Sequence, residues 1–266
     1  MKALRAALLA ALAPALCAQT GHGSISAGEL LATQRKQIES ADFRATGHLV
    51  WVQSNGVRTT VPITIKARWS SGLLRLLLEV GAVSGTDHNP VPGARAATHA
   101  LLELRADGQS SIWIAHPGDK SPSPLPFERW SDGPLGPGFS YEDFLEQQYF
   151  WPGQTSEGTA KFGARDCDVV KSTPGPADRT HYAQVKSWID PTIGVPIYAE
   201  KTLKETGAVK EFTSYGLRHD QGQWAAHQIE VETRGQAGSS LLIFDRGSAK
   251  ANLTTADFNL EQLTRF

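Results

Sequence analysis

Cysteine is scarce in this chain of 266 residues, where Cys17 and Cys167 are the only two. Cys17 lies within an apolar N-terminal run, so an exported chain that sheds the run keeps one thiol and has no intramolecular disulfide. Its stability then has to come from a packed core. An excess of charge is missing as well. A formal net charge of −1 gives no whole-molecule attraction to nucleic acid or to an anionic bilayer, and no nucleic acid is expected as a partner. After the N-terminal run no apolar stretch approaches the length of a membrane-spanning helix, and no transmembrane segment is expected in the mature chain.

The motifs of catalysis and metal binding are absent too. The eight histidines are scattered, and none has the His-x-x-x-His or His-Glu-x-x-His spacing that sets two ligands on one helix face. Asp87 and His88 stand in an Asp-His-Asn-Pro run, which is turn chemistry. Residues 153–159 have the two glycines of a phosphate loop but Thr159 where its lysine belongs, and they read as a turn. Ser24 and Ser26 lack the strand and flanking glycines of a nucleophile elbow. Glu142 and Asp143 are neighbours that would diverge by about 100° on a helix and stabilise its positive end. Cys167, alone in a strand-like stretch, reads as a small packed residue. No catalytic residue, metal site or cofactor is expected.

What is present begins with Lys2 and Arg5 ahead of an apolar run over residues 6–16, turning polar at Gln19. This is a secretory signal over residues 1–18, leaving residues 19–266 as a single domain. Leu16 occupies a position that prefers a small residue, so the cleavage point stays open. Leu16 and Pro14 also disfavour a lipid anchor at Cys17.

Ser26 and Glu29 form a capping box before Leu30, Leu31 and Ile38, which predicts a helix ending near Ser40. From Phe43 the period changes to two. Phe43, Ala45, Gly47, Leu49 and Trp51 share one face, Ser54-Asn55-Gly56 supplies a hairpin turn, and Val61, Ile63, Ile65, Ala67 and Trp69 return on the same face. Leu74, Leu76, Leu78 and Val80 continue it. Leu73 and Leu77 make this third strand apolar on both faces, so it should lie centrally or be covered outside. Residues 81–97 read as a loop or flap before Leu102 and Leu104, and residues 117–138 as a long proline-rich loop, either a lid or tolerated excess. Ser140 and Asp143 open a second expected helix carrying Tyr141, Phe144, Leu145 and Tyr149, stopped by Pro152-Gly153. After it come strands and short turns, which mean antiparallel neighbours.

The fold class is therefore mainly β (α+β), a large curved antiparallel sheet forming an unclosed half-barrel capped by two helices, with room for an apolar cavity. Leu49, Trp51, Ile63, Ile65, Trp69, Leu74, Leu76, Leu78, Leu102 and Leu104 are its candidate lining, where some must be ordinary core.

The run FSYEDFLEQQYFWPG, a strand with Cys167, the run YAQVKSWIDPTIGVPIYAEKT, and the segments GAVKEFTSYG, GQWAAHQIEVE and DFNLEQL resemble the outer-membrane lipoprotein-sorting family, the LolA-like carriers. The resemblance covers roughly residues 27–266 in element order and is strongest from Phe139 onward. It implies a half-barrel over a cavity for acyl chains, a periplasmic location, and a carrier whose cargo is a lipid or an acylated lipoprotein. The alternative is an envelope regulatory or scaffold module that binds another envelope protein through its loops. The loops at residues 81–97 and 117–138 are longer than a compact carrier would need.

Overall fold

The computed structural model describes residues 26–82, 96–220 and 223–266. The expected signal segment, Cys17, Ser24, the Asp87-His88 pair and most of the 81–97 loop lie outside them. The first helix, α1, spans Ala27–Glu39, and its capping box is formed as expected: Ser26 Oγ accepts from Glu29 N at 3.3 Å and the Glu29 carboxylate accepts from Ser26 N at 3.0 Å.

Fifteen strands follow among the described residues: β1 Asp42–Val52, β2 Arg58–Ser70, β3 Leu73–Val80, β4 Thr98–Arg105, β5 Ser110–Ala115, β6 Ser123–Pro124, β7 Gly153–Phe162, β8 Arg165–Thr173, β9 Tyr182–Asp190, β10 Val195–Leu203, β11 Val209–Tyr215, β12 Arg218–Asp220, β13 Gln223–Ala225, β14 Gln228–Thr233 and β15 Ser239–Ser248. Thirteen of them form one antiparallel sheet in the order β6-β5-β4-β3-β2-β1-β15-β14-β11-β10-β9-β8-β7, and β12 with β13 forms a separate hairpin. The outer strands β6 and β7 are not paired with each other, so the sheet stays open. The β1–β15 ladder joins an N-terminal half, β1 to β6, to a C-terminal half. At its bulge Gly47 approaches so closely that a Cβ there would sit 1.9 Å from the Ile243 carbonyl oxygen.

The alternation selects faces as expected. Leu49, Val61, Ile63, Ile65, Leu78, Leu102 and Leu104 are buried on the inner face in one core. The doubly apolar β3 is covered outside: Leu77 and its partner Leu101 pack under Leu253, Phe258 and Leu263 of the C-terminal segment. The proline-rich loop is no loose excess. It places Leu125, Trp130 and Leu135 in the main core, and Trp130 Nε1 donates to the Leu125 carbonyl at 3.0 Å.

Two expectations are corrected. Residues 153–159 are not a turn but the start of β7, an edge strand exposed along most of its length, which therefore carries no alternation to read. The second helix is two short 3-10 turns, Tyr141–Leu145 and Gln147–Tyr149, separated by Glu146 at φ 46° and ψ 33°. An amphipathic helix needs a wet face, whereas Glu142, Asp143, Gln147 and Gln148 are buried here as well as Tyr141 and Leu145. With one α-helix among the described residues, much of the capping falls to these turns and the proline-rich segment.

Candidate functional site

A cavity of ≈370 Å³ opens on the inner face below α1, within the size range of small-molecule sites. The helix is held over it from both ends. Leu30 and Leu31 pack on Tyr149, Val170 and Ile189, and Gln34 and Gln37 both donate to the Gly194 carbonyl, at 2.8 and 2.9 Å. Ile38, Phe43, Ile65, Leu76, Phe212 and Phe244 supply the apolar wall. An adjoining groove of ≈640 Å³ between β15 and the β12–β13 hairpin shares Phe43, Ala225, Ala226, Ile229 and Phe244 with the cavity.

Of the ten expected lining residues, Ile65 and Leu76 border this cavity. Leu49, Ile63, Leu74, Leu78, Leu102 and Leu104 are packed in the main core, with Trp51 and Trp69 half-buried against it. Trp69 stacks on Phe150 with centroids 6.0 Å apart.

One end of the cavity is charged. Lys201 of β10 and Lys210 of β11 stand directly opposite each other, and both are buried. Like charges in that position repel and are costly out of water. Asp143 resolves the conflict from the first 3-10 turn. One carboxylate oxygen accepts from Lys201 Nζ at 3.0 Å and from the Tyr182 hydroxyl at 2.7 Å, and the other from Lys210 Nζ. Ser140 donates to the second oxygen from its backbone and its hydroxyl, at 2.8 and 2.7 Å. Burial alone would raise the Asp143 pKa, but the two ammonium groups and these hydrogen bonds outweigh it and hold the carboxyl well below the usual carboxylate range. Burial lowers the Lys210 pKa, opposed by Asp143, and raises that of Tyr182, which the Asp143 charge pushes further up. Asp143 is thus more than the expected neighbour of Glu142 at a helix start: it ties the 3-10 turn to the sheet.

Glu142 faces elsewhere, accepting from Thr180 Oγ1 at 3.3 Å and from His181 N at 3.2 Å, with His181 Nδ1 also 3.2 Å away. His181 stacks on Phe127 of the proline-rich segment, centroids 4.3 Å apart. Its pKa is raised, chiefly by the Glu142 hydrogen bond. Cys167 is a buried free cysteine whose pKa burial pushes up to about 11, so little thiolate exists near neutral pH. Among the described residues no group of three or more His, Cys, Asp or Glu is placed to hold a metal. Nor is any helix among them long and apolar enough to cross a membrane.

Sequence reasoning passed over Asp143, Lys201 and Lys210 as a set. The available signal was phase: Lys201 follows Ile197 and Ala199 at spacing two, and Lys210 precedes Phe212, so both lysines occupy inward positions of their strands.

Comparison with known proteins agrees with this architecture. A family model described as an uncharacterized-protein-like family matches residues 92–265. No curated protein matches the chain. A DUF1329 family protein from Desulfovibrio piger ATCC 29098 superposes with a TM-score of 0.73 at 15% identity, covering 88% of this chain and 96% of that one. A putative outer membrane lipoprotein-sorting protein domain from Vibrio parahaemolyticus gives 0.72 at 21% identity, over 90% and 98%. The LolA superfamily protein NE2245 from Nitrosomonas europaea gives 0.63 at 14% identity, over 90% and 100%. The fold is that of the LolA-like proteins, as the resemblance implied.

Proposed function

The chain belongs to the uncharacterized-protein family whose model spans residues 92–265, and from that premise we propose that it is a non-enzymatic carrier or binding protein for the acyl chain of a lipid or lipoprotein, exported to the periplasm by its N-terminal signal. The observation that carries this reading is the apolar cavity under α1 in an open antiparallel sheet. Removing acyl methylenes from water there would contribute about 0.8 kcal/mol each, and such a site needs no catalytic residue. The Vibrio parahaemolyticus neighbour, described as a putative lipoprotein-sorting domain, supports the choice of cargo class.

The test is titration of the processed protein with an environment-sensitive fatty-acyl probe, alongside Ala199→Trp. Ala199 lines the cavity opposite Phe212, so an indole there fills the space. Saturable binding by the wild type, lost in a folded Ala199→Trp variant, is expected. A wild type that takes up no probe refutes the carrier.

A further inference from the structure

We propose that the charged end of the cavity is an anion-recognition subsite, in which Lys201, backed by Lys210, receives the carboxylate or phosphate terminus of an amphiphile whose acyl chain lies along the apolar wall. This rests on the acyl-binding reading and specifies the chemistry of the ligand.

Two buried ammonium groups share one carboxylate that is already fully engaged. Asp143 accepts hydrogen bonds from Ser140, Tyr182, Lys201 and Lys210, and its depressed pKa keeps it a single fixed negative charge. Two amine nitrogens, those of Lys201 and Lys210, thus converge on a single carboxylate. Lys201 lines the cavity, and among the described residues Asp143 is the only acceptor of its three protons. Its ammonium otherwise lies over the Phe212 ring, 4.4 Å from the centroid, a contact that holds the cation where the apolar wall begins.

Several other polar groups around the cavity are already engaged. Gln34 and Gln37 donate to Gly194, Ser214 donates to the Pro196 carbonyl, and the Tyr198 hydroxyl donates to Glu211 at 2.8 Å with Glu200 3.2 Å away. Glu146 differs from them. It borders the same end, holds its backbone in the left-handed region, and no hydrogen bond among the described residues reaches its carboxylate. Although its side chain has open surface, protein surrounds it on most sides, and this desolvation raises its pKa against the pull of Lys201. Left-handed backbone at a non-glycine residue is costly and tends to persist where it serves a site.

The experiment compares three ligands of one chain length: palmitate, hexadecyl phosphate and hexadecanol, each displacing the acyl probe from the wild type, Lys201→Met and Glu146→Gln. Charged hydrogen bonds in a desolvated site imply that the wild type prefers the anionic ligands over the alcohol by on the order of tenfold or more. That preference should vanish in Lys201→Met and survive in Glu146→Gln. Palmitate against hexadecyl phosphate separates a fatty-acid source from a phosphate source. Equal binding of all three by the wild type overturns the subsite but leaves the acyl cavity standing. Failure of all three overturns both. The wild-type comparison decides the question even if Lys201→Met does not fold.

Discussion

The two halves of the sheet bring the same kind of face inward and do different things with it. On the N-terminal half, β1 to β4 present Leu49, Ile63, Leu78, Leu102 and Leu104, and the segment from Leu125 to Leu145 packs into them to make a solid core. On the C-terminal half, β10, β11 and β14 present Ala199, Lys201, Phe212 and Ile229 beneath α1, and a cavity remains that reaches Phe43, Ile65 and Leu76 at the edge of the other half. One half is plugged by the chain itself. The other is roofed by a helix and anchored by a buried charge cluster. The difference teaches that an apolar face is only half of a binding site, since what covers the face decides whether space is left.

The largest expected effect falls on that charge cluster. Asp143→Asn leaves two facing lysines without their counter-charge and should cost about 3–5 kcal/mol in urea unfolding. Asp166→Asn, at an exposed ion pair with Lys161, should be silent. A loss at Asp143 no larger than at Asp166 would dissolve the contrast between the halves. Because the Asp143 pKa is depressed in the fold, its contribution is present above the ordinary value of 3.8 and is lost as pH falls below it towards the folded value. A stability that falls less steeply in Asp143→Asn than in the wild type as pH drops below 3.8 checks that sign.

Next comes a paired substitution within β2, one residue in the plugged core and one at the cavity wall. Ile63→Asn buries an unsatisfied amide in the plugged core and should cost roughly 2 kcal/mol or more. Ile65→Asn, at the cavity wall, should cost less and instead weaken acyl-probe binding. Equal melting temperatures for the two variants would mean that the plugged core and the cavity wall are packed alike. Cys167→Ala, a small loss in a strand that does not line the cavity, should cost on the order of 1 kcal/mol and leave probe affinity unchanged.

The smallest effect concerns the seam between the proline-rich segment and β9. The raised pKa of His181 means that its pairing with Glu142 adds stability that is fully present below the ordinary histidine value of 6.5. That stability is lost as pH rises through the higher folded value. His181→Gln should flatten the melting temperature between pH 6 and 9, whereas an unchanged slope would remove the pair from the account of the seam.

The legible parts of the fold were those with a repeating signal. Ser26 with Glu29 gave the start of α1, and Phe43 to Trp51 against Val61 to Trp69 gave the β1–β2 hairpin. The double apolarity of Leu73 and Leu77 called for an outer cover, which the C-terminal segment supplies. Edge strand β7, wet along most of its length, offered no period to read. The 3-10 turns around Glu146 are set by tertiary burial of both faces, which local spacing does not report. For the site, alternation identified the inward face and reached Ile65 and Leu76. It did not distinguish lined space from filled space, because the residues that plug one half come from a proline-rich stretch with no periodicity. The charge cluster joins residues 143, 201 and 210, and only the β10–β11 register brings the two lysines together.

Native mass spectrometry of the processed protein, purified without detergent and then offered palmitate, tests the central claim most directly. The expected result is a one-to-one complex in the wild type that is missing from a folded Ala199→Trp variant. A wild type that stays bare at saturating palmitate, or an Ala199→Trp variant that binds it equally well, would contradict an acyl-chain site under α1.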